Sequence, residues 1–591
     1  STGGHHGTST GASAGATSTS AGNGASTGGA STSAASSTST GAAASTSGGG
    51  GSSTGGNVGT STGGGSSTGA GVGTSTGGGG STTGTSTGSG STTSASAGGY
   101  LGVLERGGGP LRNAVFQDAA FTQAAVSDAN TGLHVDGAFT SATWSGPVFS
   151  QPLYFVDTAT SQSMVIVTTD SNEIYAVDPG SGATIWADTS AAGGATVLPK
   201  ALATSHMQCG GSVSPIGITG TPVIDPVARV LYANVGSLVS SKAHYQIYAI
   251  DLDDGSTVSG WPIDLEGLPM SLGNGNTGTF TSKLQNQRGS LALVNGVLYV
   301  PYGGLDGDCG NYSGVVAAVP VANPGSAAIW ATSAPSGSGI WGPSGVASDG
   351  TSVFVSTGNT NSPFPTAWNN ANSEAVIRLA AGTPPVFSGA AGDYFAPSDP
   401  TGCDWYCDDT EDADLGSSGV VLFDYPGSQS TSQLAFAIGK TSNAYLLDRT
   451  NLGGISTGLS EISGASSQVF GSMAAYSTAS GTYVVATASG NGSCSGNTAA
   501  FAVTGDPPQL GGGWCSGNGG TGSPIVSTSD GTHDYLVWVT GGNLSALDGD
   551  TGNVVASLGI PDGNYTHWVT PIVAQGALYL AGNGELMKFD P

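Results

Sequence analysis

The chain is short of positive charge. Its 591 residues include 11 Lys and Arg against 38 Asp and Glu, a formal net charge of -27. A surface this acidic repels phosphate backbones and anionic headgroups, which excludes nucleic acid and anionic membranes as partners. No run approaches the roughly 18 apolar residues that cross a bilayer, so no membrane span is predicted. No 12-residue window shows helical periodicity, and the CxxCH of an attached c-type haem is absent. Residues 1–99 lack acids, bases, proline and aromatics altogether. Such a segment cannot bury enough apolar surface to offset its chain entropy.

What is present divides into two parts. Residues 1–99 are Gly, Ser, Thr and Ala, interrupted only by His5, His6, Asn23, Asn57, Val58 and Val72. This is a low-complexity tail, read as a linker, an anchor or an assembly arm. All the charge lies in 100–591. Ser1 opens the polar tract directly, as in a mature exported chain whose leader has been removed. The six cysteines (209, 309, 403, 407, 494, 515) are an even number in a lysine-poor chain, pointing to three disulfides and an oxidising, extracellular compartment. Zinc is the competing reading, weakened by the lack of any CxxC pair.

Residues 100–591 repeat. An apolar strand, an Asp/Gly turn and a strand often containing Trp recur in "EIYAVDPGSGATIWAD" (173–188), "QIYAIDLDDGSTVSGWPID" (246–264), "VVAAVPVANPGSAAIWATS" (315–333) and "NLSALDGDTGNVVASLG" (543–559). Two further strand-like runs precede each copy. Four strands at this spacing predict an all-β fold, an eight-bladed β-propeller with inner strands starting near 147, 218, 288, 341, 418, 468, 521 and 568. The last unit stops after three strands. Residues 100–137 are read as a lead-in and 138–146 ("AFTSATWSG") as the strand that completes the last blade and closes the ring. In this register all six cysteines fall on one face. The pairing Cys403–Cys407, Cys494–Cys515 and, by elimination, Cys209–Cys309 follows.

"SQPLYF" followed by "IYAVDPGSGATIW", and "GITGTPVIDPVARVLYA", resemble the quinoprotein alcohol dehydrogenase-like propellers, the eight-bladed superfamily with pyrroloquinoline quinone (PQQ) repeats. The resemblance covers about 105–591. It implies a quinone floor at Trp341 and a calcium-binding Asn359 in a TGN-like motif. Other parts of that family's site are missing. Cys209 in "HMQCGGSV" stands alone where two adjacent cysteines belong, and "NVGSLVSSKAHYQ" lacks the glutamate ligand. Asp393 or Asp399 stands roughly where the catalytic aspartate would lie.

Two acidic loops carry oxygen ligands at calcium-compatible spacing. "CDWYCDDTEDAD" (403–414) offers Asp404, Asp408 and Asp409, and "DGDCGN" (306–311) offers Asp306, Asp308 and Asn311. The bland alternative for both is a solvated loop. The G-x-S-x-G matches in the tail lack the strand and helix that a nucleophile elbow requires.

The function expected from these features is a secreted, non-enzymatic propeller acting as a structural or adhesive module. Its tail would contact other copies of the chain in a filament. A PQQ/calcium dehydrogenase with a degenerate site, and a polysaccharide- or surface-binding propeller, are the alternatives.

Overall fold

The recurring Asp does the local work. In the first repeat the Asp178 carboxylate accepts from the Gly180 and Ser181 amides and from Ser181 Oγ (3.2, 2.8 and 2.7 Å). Asp548 does the same for Asp550 and Thr551. Each turn then reaches a glycine in the left-handed region, Gly182 at φ 79° and Gly552 at φ 71°, where a side chain is disfavoured. Asp turn and glycine together send the third strand of a blade back as the fourth. In "LDGDTGN" the carboxylate is therefore spent on its own turn.

The computed structural model describes residues 102–591 except 158–159, 190–195, 210–212, 306–308, 399–403, 442, 561–567 and 583. The low-complexity tail lies outside the described residues. The strands form eight sheets of at least four strands, an eight-bladed β-propeller. Blade 1 is Leu153–Asp157, Gln162–Thr168, Ile174–Val177 and Thr184–Asp188. Its apolar faces interlock with those of blade 2, so that Phe155 and Ile166 share one core with Leu231 and Val235. Tryptophans on outer strands bond across to the next blade: Trp186 Nε1 donates to Leu252 O (2.8 Å) and Trp514 Nε1 to Gly549 O (2.9 Å). Blade 5 lends the strand Gly454–Ser456 to the outer edge of blade 4, Tyr394–Pro397.

Ring closure differs from the sequence expectation in position. The strand completing blade 8 is His134–Val135, antiparallel to Leu586–Asp590. Residues 138–146 form no strand. The reason is Asp136, whose carboxylate accepts from the Ala138 amide (2.9 Å) and turns the chain out of the ladder. Beyond that turn Ser141 and Trp144 still dock on the blade, Trp144 Nε1 donating to Gly582 O at 3.3 Å.

The lead-in does something the sequence does not announce. Residues 103–118 fill the axial channel and bond to every blade. Inner-strand amides of six blades donate to them: Tyr154 to Val103 O, Ile224 to Leu104 O, Ser348 to Pro110 O, Leu422 to Leu111 O, Ala475 to Asn113 O and Val526 to Ala114 O, all at 2.8–2.9 Å. Blade 3 is held by Arg112 Nη2, which donates to Leu291 O (2.7 Å), and blade 8 by the Gly576 amide on Asp118 Oδ2 (2.6 Å). Val103 pairs antiparallel with Tyr154, whereas Val115–Gln117 pairs parallel with Ile525–Thr528. The segment thus enters and leaves through the same face, the one bearing the turns after the inner strands.

Two buried arginines hold the turn of this plug. Arg106 donates to Ser472 Oγ, Ser523 Oγ, Thr570 Oγ1 and Thr221 Oγ1 (2.9, 3.1, 2.7 and 3.4 Å), hydroxyls that precede the inner strands of blades 6, 7, 8 and 2. Arg112 pairs with Glu105 (2.8 Å) and also bonds Val346 O. Burial and the neighbouring Arg112 lower the Arg106 pKa to about 9, so it remains a cation at neutral pH. Arg112 and Ala114 sit at φ 64° and 53°, backbone strain that the surrounding bonds sustain.

Truncating Arg106 removes a charged donor from four buried hydroxyls; Thr221, Ser523 and Thr570 each keep one other hydrogen bond, and Ser472 Oγ loses its donor outright. Arg106→Ala should lower the urea midpoint of unfolding by the equivalent of about 3–5 kcal/mol with an unchanged m-value. Lys242→Ala, at an exposed position, should leave the midpoint in place.

Candidate functional site

Upstream of an inner strand and after the strand that follows it, the chain lies on one face of the ring. Blade 4 accordingly places Trp341, ahead of Ala347–Ser348, near Asn359, behind Ser352–Thr357. Gly358 sits wedged between Trp341 and Asp414 Oδ1, with no space for a Cβ. Asp414 accepts from the Asn359 amide at 2.8 Å. The two sequence-predicted residues are therefore together, and the Asp414 carboxylate joins them.

Further acids converge on the same spot. Asp409, at the end of the helix Trp405–Thr410, accepts from the Thr360 amide (2.6 Å) and from Thr360 Oγ1. Glu374 is fully buried, at φ 45°, and one of its oxygens accepts from the Leu415 amide at 2.6 Å. Asp408 is buried nearby, and its charge is felt by Glu374. Lys440 is the counter-charge, bridging Asp414 and Asp412. Asn359 Oδ1 and Glu374 Oε1 are among the buried oxygens here that lack a hydrogen-bond partner.

Burial, then the charges of Asp414, Asp408 and Asp409, push the Glu374 carboxyl well above its usual range. Burial likewise raises Asp409, against the hydrogen bonds from Thr360. Burial opposes the Lys440 charge, but Asp414 and Asp412 outweigh it and hold the ammonium above its usual range. The result is a dry carboxylate knot joining blade 4 to the start of blade 5. Burial and the surrounding aspartates favour the neutral form of Glu374.

The remaining sequence candidates separate. Asp404 caps the helix Trp405–Thr410, accepting from the Cys407 amide at 3.2 Å. Asp306 and Asp308 lie outside the described residues, and Asn311 is exposed. Asp393 pairs with Arg378 on the outer part of blade 4, and Asp399 is outside the described residues. Cys209–Cys309 and Cys494–Cys515 are bridged, with Cα separations of 6.1 and 5.9 Å. Cys407 is also in a disulfide; the pairing with Cys403 lies outside the described residues. Sequence reasoning missed Glu374 and Lys440, which carried no signal; Asp414 belongs to the acidic 403–414 loop already read as a source of oxygen ligands.

The quinone–calcium pair implied by the resemblance can be tested against these residues. Trp341 is 7% exposed. Its indole is hemmed in by Gly303, Gly339 and Gly358, with Tyr312 at 6.0 Å between ring centroids and Nε1 donating to Gly304 O at 3.0 Å. A flat tricyclic ligand needs an open indole face, and this one is covered. Lys440 is taken by two aspartates. Asn359 Oδ1 and Glu374 Oε1 are open toward a cation, but among the described residues no three His, Cys, Asp or Glu side chains group at metal-holding distance. The residues do not fit the pair in this arrangement.

Known proteins speak to the fold alone. No family model matches the chain, and no curated protein matches it either. Solved structures do. A quinohemoprotein alcohol dehydrogenase from Comamonas testosteroni matches with TM-score 0.51 at 13% identity, over 83% of this chain and 80% of that one. A europium-containing methanol dehydrogenase matches with TM-score 0.53 at 13% identity, over 82% and 90%. A quinohemoprotein alcohol dehydrogenase from Pseudomonas putida matches with TM-score 0.50 at 12% identity, over 83% and 80%.

An acid whose folded pKa is raised stabilises the fold below its unfolded pKa and loses that contribution as pH rises through the folded value. Glu374, Asp409 and another buried acid, Asp188 at about 7, all shift this way chiefly through burial. The thermal midpoint should therefore fall between pH 5 and pH 8, each tenfold change in proton affinity being worth about 1.4 kcal/mol. Glu374→Gln should flatten part of that slope. A midpoint that rises over this range would show the knot to be ionised.

Proposed function

We propose that this propeller, which shares its fold with quinone dehydrogenases, is an extracellular, non-enzymatic structural or adhesive module. In this reading residues 1–99 are the arm that meets neighbouring copies. The observation that carries the proposal is the plug: the axial channel, a natural ligand site in a closed ring, is occupied by the chain's own residues 103–118. The covered face of Trp341 supports it. Among the described residues no helix is long and apolar enough to cross a membrane, and two disulfides are formed, as suits an oxidising exterior. The chain at Gly102–Val103 comes from the face opposite the Trp341–Asn359 cluster. A head-to-tail contact that does not close into a ring propagates as a filament.

A degenerate dehydrogenase is the second reading. The contiguity of Trp341, Asn359 and Asp414 favours it.

Two measurements separate the readings. With PQQ and calcium the protein should show no saturable quinone binding and no alcohol or sugar oxidation. Micromolar binding that disappears in Trp341→Ala would establish the second reading instead. Electron microscopy of the full-length chain should show filaments or large oligomers that are insensitive to moderate salt, since the arm is uncharged. Residues 100–591 alone should be monomeric. A monomeric full-length chain with a freely exchanging arm would reduce that arm to a tether.

A further inference from the structure

Away from the knot, the same face of blades 1–3 holds a second group of buried polar atoms with a different chemistry. Asp170, in the turn after Gln162–Thr168, is 0% exposed. Its Oδ1 accepts from Thr219 Oγ1 at 2.6 Å, and the Gly217 amide also bonds the carboxylate. Its Oδ2 has no protein partner. Asn172, at φ 61°, commits its amide hydrogens to Pro199 O and Gly236 O, both at 2.9 Å, and its Oδ1 has no partner. Gln287 is fully buried ahead of blade 3, with Nε2 donating to Gly289 O and Oε1 unpaired.

The three residues that carry these oxygens all contact one short stretch, 217–220. Gly217 lies so close to Asp170 O and Asn172 Oδ1 that a Cβ would overlap both, and Gly220 is packed in the same way on the Gln287 amide. Thr219, between them, holds the carboxylate. The Tyr245 hydroxyl donates to Gln285 O at 3.1 Å and lies within the field of Asp170.

Unpaired buried acceptors cost about 1–3 kcal/mol each, and an uncompensated carboxylate costs more. One carboxylate with two amide oxygens is a hard donor set without nitrogen or sulfur. Its single negative charge sets the preferred charge of an occupant. A monovalent cation leaves the dry site neutral, whereas a divalent one would leave a buried excess.

We propose that Asp170, Asn172 and Gln287 bind a monovalent cation, sodium or potassium, at the junction of blades 1, 2 and 3. The ion stitches the blades that Cys209–Cys309 also spans.

The test uses the full-length chain, exchanged into N-methyl-D-glucamine chloride and titrated at constant ionic strength with sodium or potassium chloride. The thermal midpoint should rise saturably with one or both ions. Asp170→Asn should abolish the rise, and Asp414→Asn, in the separate carboxylate knot, should keep it. If Asp170→Asn fails to fold, Gln287→Met retains the charge and should raise the half-saturating concentration on the order of tenfold, about 1.4 kcal/mol. A crystal soaked in rubidium or thallium should show an anomalous peak beside Asp170 Oδ2. Identical midpoints in the three salts would overturn the proposal, as would a cation effect that survives Asp170→Asn. In the first case Asp170 is simply a protonated acid that donates to a neighbour.

Discussion

The plug through the axis is the constraint on which the other features depend. Eight inner strands pointed at one axis leave a ring of amides with no partner in their own sheets. Water in a channel would satisfy them but would leave the blades joined only through their packed apolar faces and outer-strand contacts. Residues 103–118 instead supply a carbonyl to the amides of six blades, and Arg112 and Asp118 reach the other two. Because the segment precedes blade 1 in sequence, its docking ties the first residues of the body to the last blade, as does the short strand His134–Val135 at the rim.

The plug explains why polarity is concentrated at the centre of a molecule otherwise filled by Val, Leu, Ile and aromatics. Hydroxyls preceding the inner strands face inward and wait for a donor, and Arg106 supplies several at once from a single guanidinium. Arginine suits the place because its planar fork spreads donors in several directions and keeps its charge despite burial. The same logic, in acid form, governs the knot at blade 4. There, carboxylates anchor backbone amides of a neighbouring loop, and Lys440 offsets part of their charge. A constellation that resembles a cofactor site thereby becomes a joint between blades.

Much of the fold was legible in the sequence because its signals are local. The Asp of each repeat bonds amides two and three residues ahead, and the following glycine tolerates a left-handed turn, so each hairpin is written within a few residues. Trp341 and Asn359 were legible as a pair because both flank strands of one blade. The closing strand was misplaced by a few residues because "AFTSATWSG" alternates like a strand, while the Asp136 turn that breaks the ladder acts through a side chain. Asp393 was read toward the site, yet it serves Arg378. Asp414 and Lys440 took its place because the course of the loop ahead of blade 5 is set by packing.

The sequence by itself determined the all-β class, the repeat count and the acidic, lysine-poor surface, since strand alternation, turn chemistry and composition are properties of short windows. The tertiary structure alone decided that "VLERGGGPLRNAVFQD" is an axial plug, that Glu374 is buried among aspartates and that the Trp341 face is covered. Arg106 meets residues 115 to 464 positions away in the chain. No periodicity encodes a contact of that length, because the partners are chosen by closing a ring and by the cost of leaving any buried donor or acceptor unpaired.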